Sequence, residues 1–184
     1  MLTRMPACSH ACLHACSWFD FYSWQERDAA LQGRGMNQAN CLNRVQVIGD
    51  ELHVKRNVSI ASFLWDDGWD NSTGSTLWTF HSGFPDGFTP VSAAAKRYDS
   101  NIGVWVSPWG GYGGAKDDRI RYGKANGYET NSDGFSLSGP RYFERFKTIT
   151  LEFVKKYGVN MFKFDGIAFG DGSVNEYMAE LEGD

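Results

Sequence analysis

Two short segments of this 184-residue chain put carboxylates where chemistry could use them. In Val159-Asn160-Met161-Phe162-Lys163-Phe164-Asp165, Lys163 and Asp165 are two residues apart, so on a strand they share one face while Phe162 and Phe164 turn to the other. An ammonium beside a carboxylate favours its ionised form, the state that a nucleophile attacking an anomeric carbon needs. An ion pair at a sheet rim accounts for the same triplet equally well. The second segment is Asp66-Asp67-Gly68-Trp69. Adjacent acids repel, so a fold that keeps both near a cleft must give them donors. Sugar hydroxyls serve, at about 1.5 to 3 kcal/mol per charged hydrogen bond. Trp65, Trp69, Trp105 and Trp109 fall near predicted strand ends and offer flat faces of the kind a pyranose ring stacks on. Taken singly, each tryptophan is more often a core residue, and it is their bunching that points to a sugar. Metal binding is the rival use of an Asp pair, but outside the first 17 residues the only histidines are His53, in a helical pattern, and His81, in a loop.

A frame that gathers strand ends is therefore needed, and the hydrophobic pattern supplies one. Short apolar runs at Trp18 to Trp24, Ile60 to Asp66, Ile102 to Ser107 and Val159 to Asp165 read as strands, starting 42, 42 and 57 residues apart. Between them Cys41, Val45, Ile48 and Leu52 predict a helix over 37–56, and a shorter helix spans 91–98. Tyr142, Phe143, Phe146, Ile149, Phe153, Val154 and Tyr157 line a helix that Pro140 opens and Gly158 closes. Three helices end alike, in Lys55-Arg56-Asn57, Lys96-Arg97-Tyr98-Asp99 and Lys155-Lys156-Tyr157-Gly158. Cations suit the negative end of the helix dipole, and Asn or Gly suits a left-handed stop. Alternating strands and helices imply parallel pairing with right-handed crossovers. Neither G-x-G-x-x-G nor a P-loop succeeds any strand, which argues against a doubly wound nucleotide fold. Gly33-Arg34-Gly35 reads as loop, and so does Gly110-Gly111-Tyr112-Gly113-Gly114, with no early helix after it. The second and fourth strands instead run into acidic residues, and carboxylates at the carboxyl ends of parallel strands are where a barrel builds its site. The expected fold is α/β, a partial TIM (β/α)8 barrel of about four βα units.

Composition narrows the partners. With 18 Lys and Arg against 22 Asp and Glu the formal net charge is −4, which argues against nucleic acid or anionic lipid. No window approaches the roughly 18 consecutive apolar residues of a membrane span. At 42% apolar and 15% aromatic, with seven Trp, the chain has ample core material and aromatic surface to spare. Residues 1–17 alternate Cys8, His10, Cys12, His14 and Cys16, but a row at every second residue does not converge easily on one tetrahedral ion. His10 and His14 also interrupt the apolar run a signal peptide would need, so 1–17 is read as an uncertain extension and the compartment stays open. Cys41 lies apart in a helical pattern, so the four cysteines make no disulfide framework.

Three segments in combination, Ser62-Phe63-Leu64-Trp65-Asp66-Asp67-Gly68-Trp69, Phe80-His81-Ser82-Gly83-Phe84-Pro85-Asp86-Gly87-Phe88 and Tyr157-Gly158-Val159-Asn160-Met161-Phe162-Lys163-Phe164-Asp165-Gly166, resemble the catalytic barrel of the α-galactosidase (melibiase) clan of glycoside hydrolases, including its raffinose-synthase relatives. The resemblance runs from about Trp18 to about Gly172. It implies Asp165 as nucleophile, Lys163 as a sugar contact, Asp66 and Asp67 as the grip on galactose hydroxyls, and Trp69 shaping the pocket. Trp24, ending the first strand, would line the same pocket. The implied substrate is a carbohydrate, the implied reaction is retaining hydrolysis through a glycosyl-Asp intermediate, and no metal or organic cofactor is called for. In the clan the acid/base comes from a later strand, around the sixth, and is expected beyond Asp184; Asp171 lies too near Asp165 to take that role. The segment Trp105-Val106-Ser107-Pro108-Trp109 departs from the usual wording of the clan, which leaves the sugar and linkage open. Four strands where a closed barrel has eight make residues 18–184 the N-terminal half of such a domain, a fragment expected to show no turnover by itself. A galactosyl transferase of the raffinose-synthase kind and a noncatalytic carbohydrate-binding barrel piece are the alternatives.

Overall fold

The computed structural model describes residues 14–16 and 35–166. In chain order these form strand β1 (His14–Cys16), helix α1 (Gln38–Gly49) running into a π-helical turn (Asp50–Val54), strand β2 (Ser62–Trp65), helix α2 (Thr89–Lys96) and strand β3 (Asn101–Val106). Next come helix α3 (Gly113–Ala125), the short strands β4 (Thr130–Asn131) and β5 (Gly134–Phe135), helix α4 (Pro140–Tyr157) and strand β6 (Val159–Phe164). One sheet runs in the order β1-β2-β3-β6, and every pairing in it is parallel. The α/β class and parallel pairing agree with the sequence. The expected first strand, Trp18–Trp24, lies outside the described residues; the strand found beside β2 is β1, earlier in the chain.

Local chemistry explains the elements. Asn37 caps α1, its side-chain oxygen accepting the Asn40 N–H at 2.9 Å, and Cys41 and Val45 turn inward. Helix α4 opens on Pro140 and closes on Gly158 at φ 66°, whose N–H donates to the Val154 carbonyl at 3.1 Å. Its buried stripe is Tyr142, Phe146, Ile149, Phe153 and Tyr157; Phe143 and Val154, which the pattern also placed inward, are exposed. The left-handed stops are present after two more helices, at Asn57 and Asp99, each with φ 54°. Ser92 Oγ donates to the Tyr157 carbonyl at 2.7 Å, fastening α2 to the end of α4.

Two elements depart from the expected pattern. Helix α3 starts inside the glycine run that reads as loop, and its buried residues are Arg119 and Gly123, so it carries no apolar stripe to betray it. The β4–β5 hairpin turns on Asn131, whose side-chain oxygen accepts the N–H groups of Asp133 and Gly134 at 2.9 and 3.1 Å. Beyond the hairpin turn, Phe135 lies flat on Tyr142 with centroids 4.2 Å apart, tying the hairpin to α4. The core gathers around Trp69, which packs against Trp78, Phe80, Phe88 and Phe153.

Candidate active site

The carboxyl ends of β2, β3 and β6 meet because the three strands are adjacent and in step, with Trp65 opposite Val104 and Trp105 opposite Lys163. Asp66 comes directly after the last residue of β2 and is fully buried; it accepts the Lys163 ammonium at 2.8 Å and the Asp67 backbone N–H at 2.8 Å. Asp165 comes directly after β6, its own N–H still bonded to the Val106 carbonyl at 3.2 Å, so the sheet ladder fixes its backbone. Lys163 stands between the two acids, 3.6 Å from Asp165. The same-face pairing of Lys163 and Asp165 expected from their spacing is present.

Two donors complete the cradle of Asp165. The Trp105 indole N–H reaches one carboxylate oxygen at 3.0 Å, and the Tyr112 hydroxyl reaches the other at 3.0 Å. Partial burial pushes this carboxyl up, but the bonds from Trp105 and Tyr112 and the charge of Lys163 outweigh it, and the net movement is below the usual carboxylate range. Burial together with the Asp165 carboxylate pushes the Tyr112 phenol up, so it stays a donor. An ionised carboxylate, held on both oxygens and still 30% exposed, is suited to attack an electrophilic carbon.

Asp67 turns from Asp66 toward α3, where its Oδ1 accepts an Arg119 N–H at 2.8 Å. Arg119 also forks onto both oxygens of Asp70, at 2.9 and 2.6 Å, and donates to the Gly110 carbonyl at 2.9 Å. Burial raises the Asp67 carboxyl, opposed by the Arg119 charge and reinforced by Asp70 and Asp66. Gly111, at φ 89°, makes room for the guanidinium: a Cβ there would stand 2.6 Å from an Arg119 nitrogen.

The tryptophans divide. Trp65, Trp69 and Trp105 are buried, and Trp69 donates its indole N–H to the Trp105 carbonyl at 2.9 Å. Trp69 therefore lies behind the site as core and presents no ring face to a ligand, a correction to its expected place on the pocket wall. Trp109 is half-buried, with Lys116 5.8 Å from its ring centroid. Trp24 and Asp171 lie outside the described residues. Among the described residues no group of three or more His, Cys, Asp or Glu could hold a metal ion, and the Cys41 side chain is buried in the core.

Thus Asp66, Asp67, Lys163 and Asp165 are brought together as their positions in the sequence imply. Trp105 joins them as a hydrogen-bond donor. Tyr112, Arg119 and Asp70 also belong to the site, though sequence reasoning does not single them out. Asp70 has a faint signal, lying four residues beyond Asp66; Tyr112 sits among glycines and Arg119 in a polar run without periodicity.

No family model matches the chain, and no curated protein does. Solved structures do share its fold. The α-galactosidase of Lactobacillus brevis superposes with a TM-score of 0.57 at 16% identity, over 84% of this chain and 20% of that one. The α-galactosidase of Thermus thermophilus, solved with p-nitrophenyl α-D-galactopyranoside, gives 0.58 at 14% identity, over 84% of this chain and 30% of that one. A GH36 α-galactosidase of Geobacillus stearothermophilus in complex with raffinose gives 0.58 at 12% identity, over 94% of this chain and 25% of that one. The chain thus spans between a fifth and a third of the length of these structures.

Proposed function

We propose that this chain carries the nucleophile half of a retaining glycoside hydrolase acting on α-galactosides or similar α-linked sugars. The observation that carries this reading is Asp165: it stands at the carboxyl end of a parallel strand, ionised by Trp105, Tyr112 and Lys163, beside the Asp66–Asp67 pair. The fold likeness to α-galactosidases supports it. In the proposed reaction Asp66, buried and bonded on both oxygens, holds Lys163 rather than the sugar, Asp67 accepts a sugar hydroxyl, and a carboxylate oxygen of Asp165 attacks the anomeric carbon as the glycosidic oxygen leaves. A carboxylic acid from outside the described residues protonates that oxygen. The resulting glycosyl ester is opened by water, activated by the same acid now acting as base, and the configuration is retained. The remaining strands of a closed (β/α)8 barrel belong to the same proposal.

Asp165→Asn in the full-length protein tests it, because the amide keeps the shape and loses the nucleophile. Turnover of an aryl α-galactoside is expected to fall on the order of 10⁴-fold or more. Undiminished turnover would sink the assignment. Transfer to a sugar acceptor in place of water would convert the reading to a galactosyl transferase, and binding without turnover by the unaltered protein would reduce it to a carbohydrate-binding module.

A further inference from the structure

Arg119 spends more hydrogen bonds than its own burial requires. It is completely buried on α3, and its fork on Asp70 alone balances its charge. Yet the same guanidinium takes a second acid, Asp67, so two carboxyl groups share one cation. Drawing a second carboxyl group into such a cluster costs stability, so packing alone is a poor reason for it. Two further contacts show what it serves. The Arg119 guanidinium lies over the rings of both Trp78 and Trp105, 4.8 and 5.4 Å from their centroids, and Trp105 is the residue whose indole N–H holds Asp165. Asp67 is 17% exposed, and only its Oδ1 has a hydrogen-bond partner among the described residues.

We propose that Arg119 is the positioning residue of this site: it anchors Asp67 by one oxygen so that the other is offered to a hydroxyl of the bound sugar, and it braces Trp105 so that the indole N–H stays on Asp165. The inference rests on the glycoside reading above and adds to it a residue that touches neither the sugar nor the reacting atoms. One guanidinium thereby sets the recognising acid from the loop after β2 and, through a ring on β3, the attacking acid after β6. The groups facing this cluster are Asp66, Asp67 and Asp70 from the loop after β2, Lys163 and Asp165 from β6, and Tyr142 from α4, with His81 facing Asp70.

The test uses the full-length protein, with Arg119→Lys, which keeps the charge but not the fork, and Arg119→Gln/Asp70→Asn, which removes the cation together with its fork partner. Three readouts are taken: cooperative thermal melting, calorimetric binding of methyl α-galactoside, and NMR titration of the Asp67 and Asp165 carboxyl carbons, which needs no sugar. Both variants are expected to melt cooperatively, to bind methyl α-galactoside at least tenfold more weakly, and to shift both titration midpoints, that of Asp165 upward. Binding within twofold of the unaltered protein, or unmoved midpoints, would overturn the proposal. Should the unaltered protein bind no methyl α-galactoside, the glycoside reading falls and the midpoints alone decide whether Arg119 positions the two acids. Should neither variant fold, the guanidinium proton signals of Arg119 in the unaltered protein take over: they are expected to shift as methyl α-galactoside is added, and unmoved signals overturn the proposal.

Discussion

At the scale of single residues, the site works by setting donors against burial. Asp165 is partly desolvated, which favours its protonated form, yet Trp105, Tyr112 and Lys163 bring it below the usual carboxylate range. A carboxylate with a depressed folded pKa is stabilising above its unfolded value, and that contribution is lost as pH falls through the folded one. Tyr112→Phe removes one donor, so the Asp165 pKa should rise, the stabilisation should be lost at a higher pH on acidification, and the acid limb of kcat/KM for an aryl α-galactoside should move up in pH. An acid limb that stays in place would show that Tyr112 does not tune this carboxylate. The placement of Lys163 and Asp165 is legible because a period of two on a strand fixes which side chains share a face, and that of Asp66 because it directly follows another strand of the same parallel sheet. That of Tyr112 and Arg119 is not, because a side chain reaching into a site from a loop or from a polar helix leaves no period to read. Trp69 misleads for a related reason: position near a strand end does not say whether a ring points to solvent or to the core.

At the scale of elements, the pieces that the sequence reveals are those whose buried face is apolar and periodic, α4 above all, and those it hides are α3 and the hairpin, whose buried faces are Arg119, Gly123 and a single phenylalanine. Glycines at the ends and faces of these elements do two different jobs, and one substitution at each separates them. At Gly158 an added Cβ would meet nothing within 4 Å, but φ is 66°, so Gly158→Ala should cost about 1 kcal/mol through backbone strain alone. Gly123 carries no such strain, but a Cβ there would run into the Phe135 ring, which is itself stacked on Tyr142. Gly123→Ala should therefore cost roughly 1 to 3 kcal/mol of overpacking and displace the hairpin from α3, the helix that carries Arg119. Urea melts give both numbers, and a fall in sugar binding is expected for the Gly123 variant only. Equal binding losses in the two variants would show that the distinction between strain and displacement is mistaken.

At the scale of the whole molecule, the described sheet has β6 at one edge, paired on a single side among the described residues. An edge strand presents unpaired N–H and C=O groups, and what keeps such an edge from templating another chain is charge, proline or a covering element. Here the outer end of β6 carries Phe162 and Phe164, stacked with centroids 5.3 Å apart, and Phe164 is 45% exposed. Phe164 also touches Phe146 of α4, and that helix exposes Phe143, Leu151 and Val154 on its outer side. Together with the proposal that the chain is half of a closed barrel, this makes β6 and the adjoining face of α4 the seam along which the chain should self-associate. Phe164 points away from the face that carries Lys163 and Asp165, so it can be changed without touching the site. Phe164→Lys puts a charge on the seam and removes half-exposed apolar surface; at about 1.4 kcal/mol per decade, losing that contact should weaken self-association by about tenfold. Sedimentation velocity over a range of concentrations reads this directly: the variant should remain monomeric at concentrations where the unaltered chain forms larger species. The carboxyl titration of Asp165 should be the same in both. Association of equal strength in the variant would mean that the seam lies elsewhere and that β6 is already covered.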